Sequence, residues 1–138
     1  MAQVHSLIPF SLLIVEDDTK ALNVIARMIP NKFPTCTIYT ANNGNEGLEL
    51  FRQFAPDIVV TDVNMPGMEG FEMITRINLI NAGTPIIVLT AYSDKITYEK
   101  LRDLSVSKYL LKPLDLNELF AEIEKCRAGK KPPSEQYG

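Results

Sequence analysis

Five short apolar runs, each followed by a longer segment of helical period, constrain this chain more than any other feature of it. The runs are Leu12–Val15, Thr37–Thr40, Ile58–Thr61, Ile86–Thr90 and Tyr109–Leu111, and each is too short to form a helix. Most lack polar alternation, the pattern of strands covered on both faces by helices. Between and after them, apolar residues recur at i, i+3, i+4 and i+7. Leu22, Ile25, Ala26 and Ile29 form one such stripe, and Leu116, Leu119, Phe120 and Ile123 another. Gly47, Leu50, Phe51 and Phe54 make a third, and Met73, Ile74, Ile77 and Ile80 a fourth. The weakest helical segment runs from Lys95 to Leu104 and rests on Ile96, Leu101 and Leu104. Strand and helix thus alternate five times. The predicted fold class is α/β, a doubly wound five-stranded parallel sheet with five helices.

Local chemistry agrees with this division. Asp115 precedes the last helical stripe with Glu118 three residues on, a capping arrangement. Pro30 and Pro34 are expected to break the chain after the first helix, and Pro85 to open the fourth strand. A chain of 138 residues is long enough for one core without disulfide or zinc staples. The expected organisation is a leader over 1–10, one domain over 11–128, and a polar, proline-bearing tail or truncated linker over 129–138. The apolar stretch from Leu7 to Val15 lacks the basic flank and cleavage site of a signal peptide and is too short to span a bilayer.

Composition narrows the function classes. Fourteen basic against seventeen acidic side chains leave a net charge of −3, which argues against direct nucleic-acid binding. Lys130-Lys131 is too short to change that. One histidine, His5 in the leader, and two cysteines exclude a Cys/His metal cluster. Cys36 and Cys126 lie far apart in sequence, as reduced thiols of a cytoplasmic protein do, and no segment reads as membrane-bound. Met65, Met68 and Met73 read as loop packing and core.

The chemistry collects at the strand ends. In an open α/β sheet, ligands bind beyond the carboxyl ends of the strands. Strand one ends in Glu16-Asp17-Asp18, strand three in Asp62, strand four in Thr90 and strand five in Lys112. Taken singly, each has an ordinary explanation: a helix cap, a solvated turn, β-propensity, a surface charge. Jointly, four of five strand ends carry matched groups. Several carboxylates in one crevice repel one another, and a hard divalent cation relieves that repulsion. Magnesium prefers one or two carboxylates with waters and phosphate oxygens, so the set reads as a Mg²⁺ site. A carboxylate can attack phosphorus and form an aspartyl phosphate, and Asp62 is the best placed for this. Of the three charged oxygens on the transferred group, Mg²⁺ would meet one and the Lys112 ammonium a second. The Thr90 hydroxyl and nearby backbone N–H groups would meet the third.

Several strings of this sequence together resemble the receiver domain of response regulators, of the chemotaxis CheY type. They are Leu13-Ile14-Val15-Glu16-Asp17-Asp18, the run from Pro56 to Gly70 (PDIVVTDVNMPGMEG), Pro85 to Ala91 (PIIVLTA), and Tyr109-Leu110-Leu111-Lys112-Pro113. They occur in order, with family-like spacing, from about Leu12 to Cys126. The resemblance implies a flavodoxin-like sheet of strand order 2-1-3-4-5 and a two-component or phosphorelay role. Position by position, Asp62 matches the phosphoacceptor and Asp17 the acid that ligates Mg²⁺ directly. Glu16 matches the neighbouring acid that reaches the ion through water, and the backbone carbonyl of Asn64 the third protein ligand. Thr90 matches the switch hydroxyl, Lys112 the lysine of the family pattern, and Tyr109 the aromatic whose rotamer reports the state. The phosphodonor is implied to be a phosphohistidine on a sensor histidine kinase or phosphotransfer protein. Readout is implied on the surface of the fourth helix, fifth strand and fifth helix, by an output protein or domain that the sequence does not identify.

Two positions depart from the commonest family pattern. Ser105-Val106 stands where Gly-Ala is common before the fifth strand, and Glu16 where Asp is more frequent. The first bears on the turn before the fifth strand and the output face rather than on the acceptor, and the second is a swap many members make. Asn64, Ala91 and Tyr92 are the positions expected to tune how water reaches the phosphoryl group. Three rival functions fit the same residues less well. A turnover aspartate phosphatase places a second Asp two residues after its nucleophile, where this chain has Asn64. A pseudo-receiver would have lost the acceptor, the acid pair or the lysine, all of which are intact. A flavodoxin-like cofactor binder would need a Gly/Ser/Thr phosphate cradle after strand one. The chain is therefore expected to catalyse only its own phosphorylation and dephosphorylation.

Overall fold

A computed structural model describes residues 8–63, 70–91, 99, 102 and 104–128. Five parallel strands, β1 (Phe10–Val15), β2 (Cys36–Ala41), β3 (Ile58–Asp62), β4 (Ile86–Thr90) and β5 (Lys108–Leu111), form one sheet in the order β2-β1-β3-β4-β5. The helices within the described residues are α1 (Thr19–Lys32), α2 (Gly44–Phe54), α3 (Gly70–Ile80) and α4 (Leu116–Ala128). The helix predicted over 95–104 lies mainly outside the described residues.

Register does the positioning. Val15 pairs with Thr61 across β1 and β3, Asp62 with Leu89 across β3 and β4, and Thr90 with Leu111 across β4 and β5. The strand ends named above therefore share one edge of the sheet. The strand order reverses between β1 and β3, and that reversal opens a crevice at this edge.

Side chains alternate across the strands, so the sheet feeds two cores. Leu12, Ile14, Val60 and Leu89 pack with Ile25 and Ile29 of α1 and Leu119 and Ile123 of α4. Leu13, Val15, Val59 and Val88 pack with Leu48 and Phe51 of α2 and Met73 and Ile77 of α3. The three inner strands are buried at nearly every position, as their unbroken apolar runs predict. The edge strands differ. Thr37 and Thr40 of β2 and Lys108 and Leu111 of β5 are exposed, because each edge strand has a neighbour on one side alone.

Local chemistry sets the helix ends. Asp18 caps α1, its Oδ1 accepting from the N–H groups of Lys20 (3.0 Å) and Ala21 (3.3 Å). Asn43 caps α2 through the Glu46 N–H at 2.8 Å, and Asp115 accepts from the Asn117 N–H at 2.8 Å ahead of α4. Ala55 closes α2 in the left-handed region, at φ 46°, with its N–H on the Phe51 carbonyl at 2.9 Å.

Three expectations shift. Pro30 does not break α1, which runs on to Lys32. The missing N–H removes one helical bond, to Ala26, only two residues before the helix stops, and the Phe33 N–H still reaches Ile29 O at 2.7 Å. The α2 stripe turns toward Leu48, and Phe54 stands 43% exposed, stacked on Tyr39 with centroids 4.4 Å apart. Ile80 likewise emerges at the end of α3. Finally, β1 begins at Phe10, the last residue of the expected leader. Its ring meets Phe33 edge-on at 5.7 Å and carries the Arg127 guanidinium at 4.1 Å, which also donates to the Ile8 carbonyl at 3.1 Å.

Cys36 and Cys126 are free, and burial pushes the Cys36 thiol up to about 12 and raises that of Cys126 as well. Among the described residues no helix is long and apolar enough to cross a membrane.

Two helix glycines fix how α2 and α3 approach the sheet. A Cβ on Gly47 would stand 2.9 Å from both Met73 Sδ and Val15 Cγ2, whereas one on Gly70 would stand 2.5 Å from Val63 Cα and 2.7 Å from the Asp62 carbonyl. Side-chain ends yield and backbone does not. Gly70→Ala should therefore destabilise by about 3 kcal/mol, and Gly47→Ala by about 1 kcal/mol after alanine's helix preference is counted. Urea denaturation of the two variants side by side checks the order.

Candidate functional site

Glu16 follows β1 directly, and its N–H continues the sheet by donating to the Ala41 carbonyl at 3.0 Å. Its side chain is 1% exposed, and Oε1 accepts from the Asp18 N–H at 3.2 Å. Asp62, the last residue of β3, is buried, while Asp17 stands at the open rim. One oxygen from each of these three carboxylates lies within 4.8 Å of the others.

Lys112 arrives from the far edge. Its N–H donates to the Thr90 carbonyl at 2.7 Å, extending the β4–β5 ladder by one residue, and its peptide bond to Pro113 is cis. From there Nζ reaches Asp62 Oδ2 at 2.9 Å and Glu16 Oε2 at 3.2 Å. These are charge-assisted hydrogen bonds joining residues 50 and 96 positions apart in the chain. Burial alone would lower the Lys112 pKa, but the hydrogen bond and attraction from Asp62, with Glu16 adding to both, raise it above its ordinary value. The lysine stays an ammonium.

Glu16 is held the other way. Burial and the neighbouring Asp62 charge push its carboxyl up to about 7, against the lowering effect of the Asp18 N–H and Lys112. A crevice whose burial and neighbouring charge disfavour a second carboxylate in this way is one that a hard cation would relieve. The donors are carboxylate oxygens, without sulfur or imidazole, so they suit Mg²⁺ better than zinc.

The structure thus brings together Glu16, Asp17, Asp62 and Lys112, with Thr90 buried at the same edge. It separates Asp18 from the set, since that carboxylate is engaged in capping α1. Tyr109 lies on β5, partly buried against the core of α2 and α3. Ala91 is exposed just past β4. Asn64 and Tyr92 lie outside the described residues.

Two features of the site were not anticipated from the sequence. Gly70 lets the start of α3 close on the Asp62 carbonyl, and its place three residues after the Pro66-Gly67 pair in the sequence was the available signal. A cavity of about 410 Å³ opens beside the acids, walled by Val24, Leu114 and Leu116 with Lys20, Glu16 and Lys112. It needs α1 and the approach to α4 side by side, which no local pattern specifies.

Because the folded state binds the Glu16 proton more tightly than the unfolded chain, this group's contribution to stability is full below about 4.5 and falls as pH rises to about 7. In chelator-containing buffer, the stability of Glu16→Gln relative to the native chain should rise by about 2 kcal/mol between pH 5 and pH 8. Urea titrations across that range check it, and a difference that does not change with pH would refute it.

Comparison with known proteins bears on the whole assembly. The family model described as "Response regulator receiver domain" matches residues 12–124. The DNA-binding transcriptional regulator NtrC of Salmonella typhimurium is 33% identical over 113 residues, covering 82% of this chain and 24% of that protein. The chain thus spans about a quarter of the length of such relatives. Sporulation initiation phosphotransferase F of Bacillus subtilis is 26% identical over 113 residues, covering 82% of this chain and 90% of that one. A CheY-like receiver domain protein from Methanospirillum hungatei superposes with a TM-score of 0.81 at 22% identity, over 95% of this chain and 100% of that one. With the five-stranded order, the acidic edge and the matched span in agreement, the chain belongs to the response-regulator receiver domain family.

Proposed function

We propose that this receiver takes a phosphoryl group on Asp62 from a phosphohistidine, carried by a sensor histidine kinase or phosphotransfer protein. The observation that carries the assignment is the ion pair from Lys112 Nζ to Asp62 Oδ2 at 2.9 Å, set in the cluster with Glu16 and Asp17. It places a carboxylate, a fixed cation and further acids at one point of the sheet edge.

In the transfer, an Asp62 carboxylate oxygen attacks phosphorus, the new O–P bond forms, and the P–N bond to the donor imidazole breaks. Lys112, kept charged by its acidic neighbours, moves from pairing with Asp62 and Glu16 to meeting the phosphoryl oxygens. Glu16, Asp17 and Asp62, with the Asn64 carbonyl, are the groups that would hold Mg²⁺, which when bound supplies positive charge to the phosphoryl oxygens. Thr90, at the end of the adjacent strand, is the hydroxyl that turns toward the modified Asp62, and Tyr109 the ring that repacks in response. Water access to the aspartyl phosphate is set by Asn64, Ala91 and Tyr92.

The cavity beside the acids suits the donor. Its apolar wall of Val24, Leu114 and Leu116 gives a helix somewhere to rest, and the opening leads to the acceptor. The output surface is that of the predicted helix over 95–104, β5 and α4, read by another protein or domain and not by nucleic acid or membrane. The switching unit is the domain expected over 11–128, joined by Phe10 as the first residue of β1. Its catalysis is confined to its own phosphorylation and dephosphorylation.

With Mg²⁺ and a small phosphodonor such as acetyl phosphate, intact-mass measurement should show the gain of one phosphoryl group. Asp62→Asn should abolish the gain, and chelation of Mg²⁺ should suppress it. An equal gain in Asp62→Asn would remove the acceptor assignment. In Lys112→Met the phosphorylation rate should fall by about a hundredfold or more, as expected when a cation facing developing charge is removed.

A further inference from the structure

The main chain entering β5 is tied down before the strand begins. Asn78, on α3, presents both atoms of its amide to the backbone of Ser105, 27 residues later. Ser105 N–H donates to Oδ1 at 2.8 Å, and Nδ2 donates to the Ser105 carbonyl at 3.3 Å. The two bonds are complementary, so the side chain serves one residue's backbone as a neighbouring strand would. Two residues on, Ser107 N–H donates to the Ile86 carbonyl at 2.8 Å, and Ser107 Oγ accepts from the Ile86 N–H at 3.3 Å. Leu104 and Val106 press into the core that α2 and α3 share with the sheet.

Four hydrogen bonds therefore hold Ser105 and Ser107 to α3 and β4, both seated on buried residues: Met73, Ile74 and Ile77 of the helix and the whole of β4. The ties reach the backbone, so the side chain at position 105 is free to differ from glycine without loosening them. Asp62 and Thr90, where phosphorylation would act, lie at the opposite ends of their strands from Ile86.

We infer that Asn78 makes Ser105 the fixed end of the switch. On phosphorylation the backbone from Ser105 through Leu111 keeps its place on α3 and β4, and Tyr109 answers by rotating its side chain alone. This rests on the proposed phosphorylation of Asp62. Asn78 touches none of the reacting atoms and is a positioning residue: it decides how far along the chain the response travels.

Amide NMR on the isotope-labelled chain with Mg²⁺, with and without beryllofluoride in place of the phosphoryl group, tests it. In the native chain the Thr90 and Ala91 amides should shift while those of Ser105 and Ser107 keep their positions and their exchange protection. In Asn78→Ala, Ser105 and Ser107 should join the shifting set, with Ser105 exchange faster by about three- to tenfold. Asn78→Asp, which keeps the acceptor and loses the donor, should fall between the two, and it carries the test if the alanine variant does not fold. Displacement of Ser105 in the native chain while Thr90 responds would overturn the inference alone, as would an unchanged response in both variants. No response at Thr90 in the native chain would overturn the switch as well.

Discussion

Three carboxylates meeting one ammonium at the end of a buried sheet form the constraint around which this molecule is arranged. Glu16, Asp17 and Asp62 approach within 4.8 Å, two of them out of water, and Lys112 comes from the far side of the domain to meet them. Charges so close in a poorly solvated crevice cannot all persist without compensation. The chain answers with a fixed cation, with a Glu16 carboxyl whose proton is held up to about neutrality, and with a geometry that suits a hard divalent ion. A fold built only for stability would have little reason to collect this set. The imbalance is one that a hard divalent cation could relieve.

The rest of the architecture delivers those four side chains. Register places the ends of β1, β3 and β4 in line, and the Lys112 N–H on Thr90 carries the same alignment to the outer edge. Gly47 and Gly70 let α2 and α3 lie close behind the acids, with Gly70 against the Asp62 carbonyl itself. A methyl group at Gly70 would press on backbone and push α3 off the sheet, whereas one at Gly47 meets side-chain ends that can shift.

Much of this was legible in the sequence, and the boundary between what was and what was not is physical. The inner strands declared themselves because burial on both faces erases alternation, and the acids at their ends followed from chain direction alone. The helical stripes were legible to within a turn: Ile25 and Ile29 lie where the period puts them, while Phe54 and Ile80 turn outward because helix ends leave the sheet. Asp18 looked like part of the site and proved to be a cap, since a carboxylate after a strand serves either purpose and only the fold decides. Pro30 looked like a stop, but so near the end of α1 it removes little. Asn78 and the cavity walled by Val24 and Leu116 were not legible, because each depends on an approach between elements that no local window contains. Gly70 was legible as part of a string but not as a contact with Asp62.

At the pole opposite the acids, the Arg127 guanidinium lies over the Phe10 ring and holds the Ile8 carbonyl, joining residues 119 positions apart. One side chain thereby turns a linear string of alternating elements into a closed circuit. Among the described residues this ties the start of β1 to the end of α4, so the first strand and the closing helix hold each other at the pole away from the acids. The same closure makes the order of elements along the chain partly arbitrary. The polypeptide could be opened at another turn and rejoined near Ile8 and Arg127, and the acidic edge would be assembled from the same neighbours.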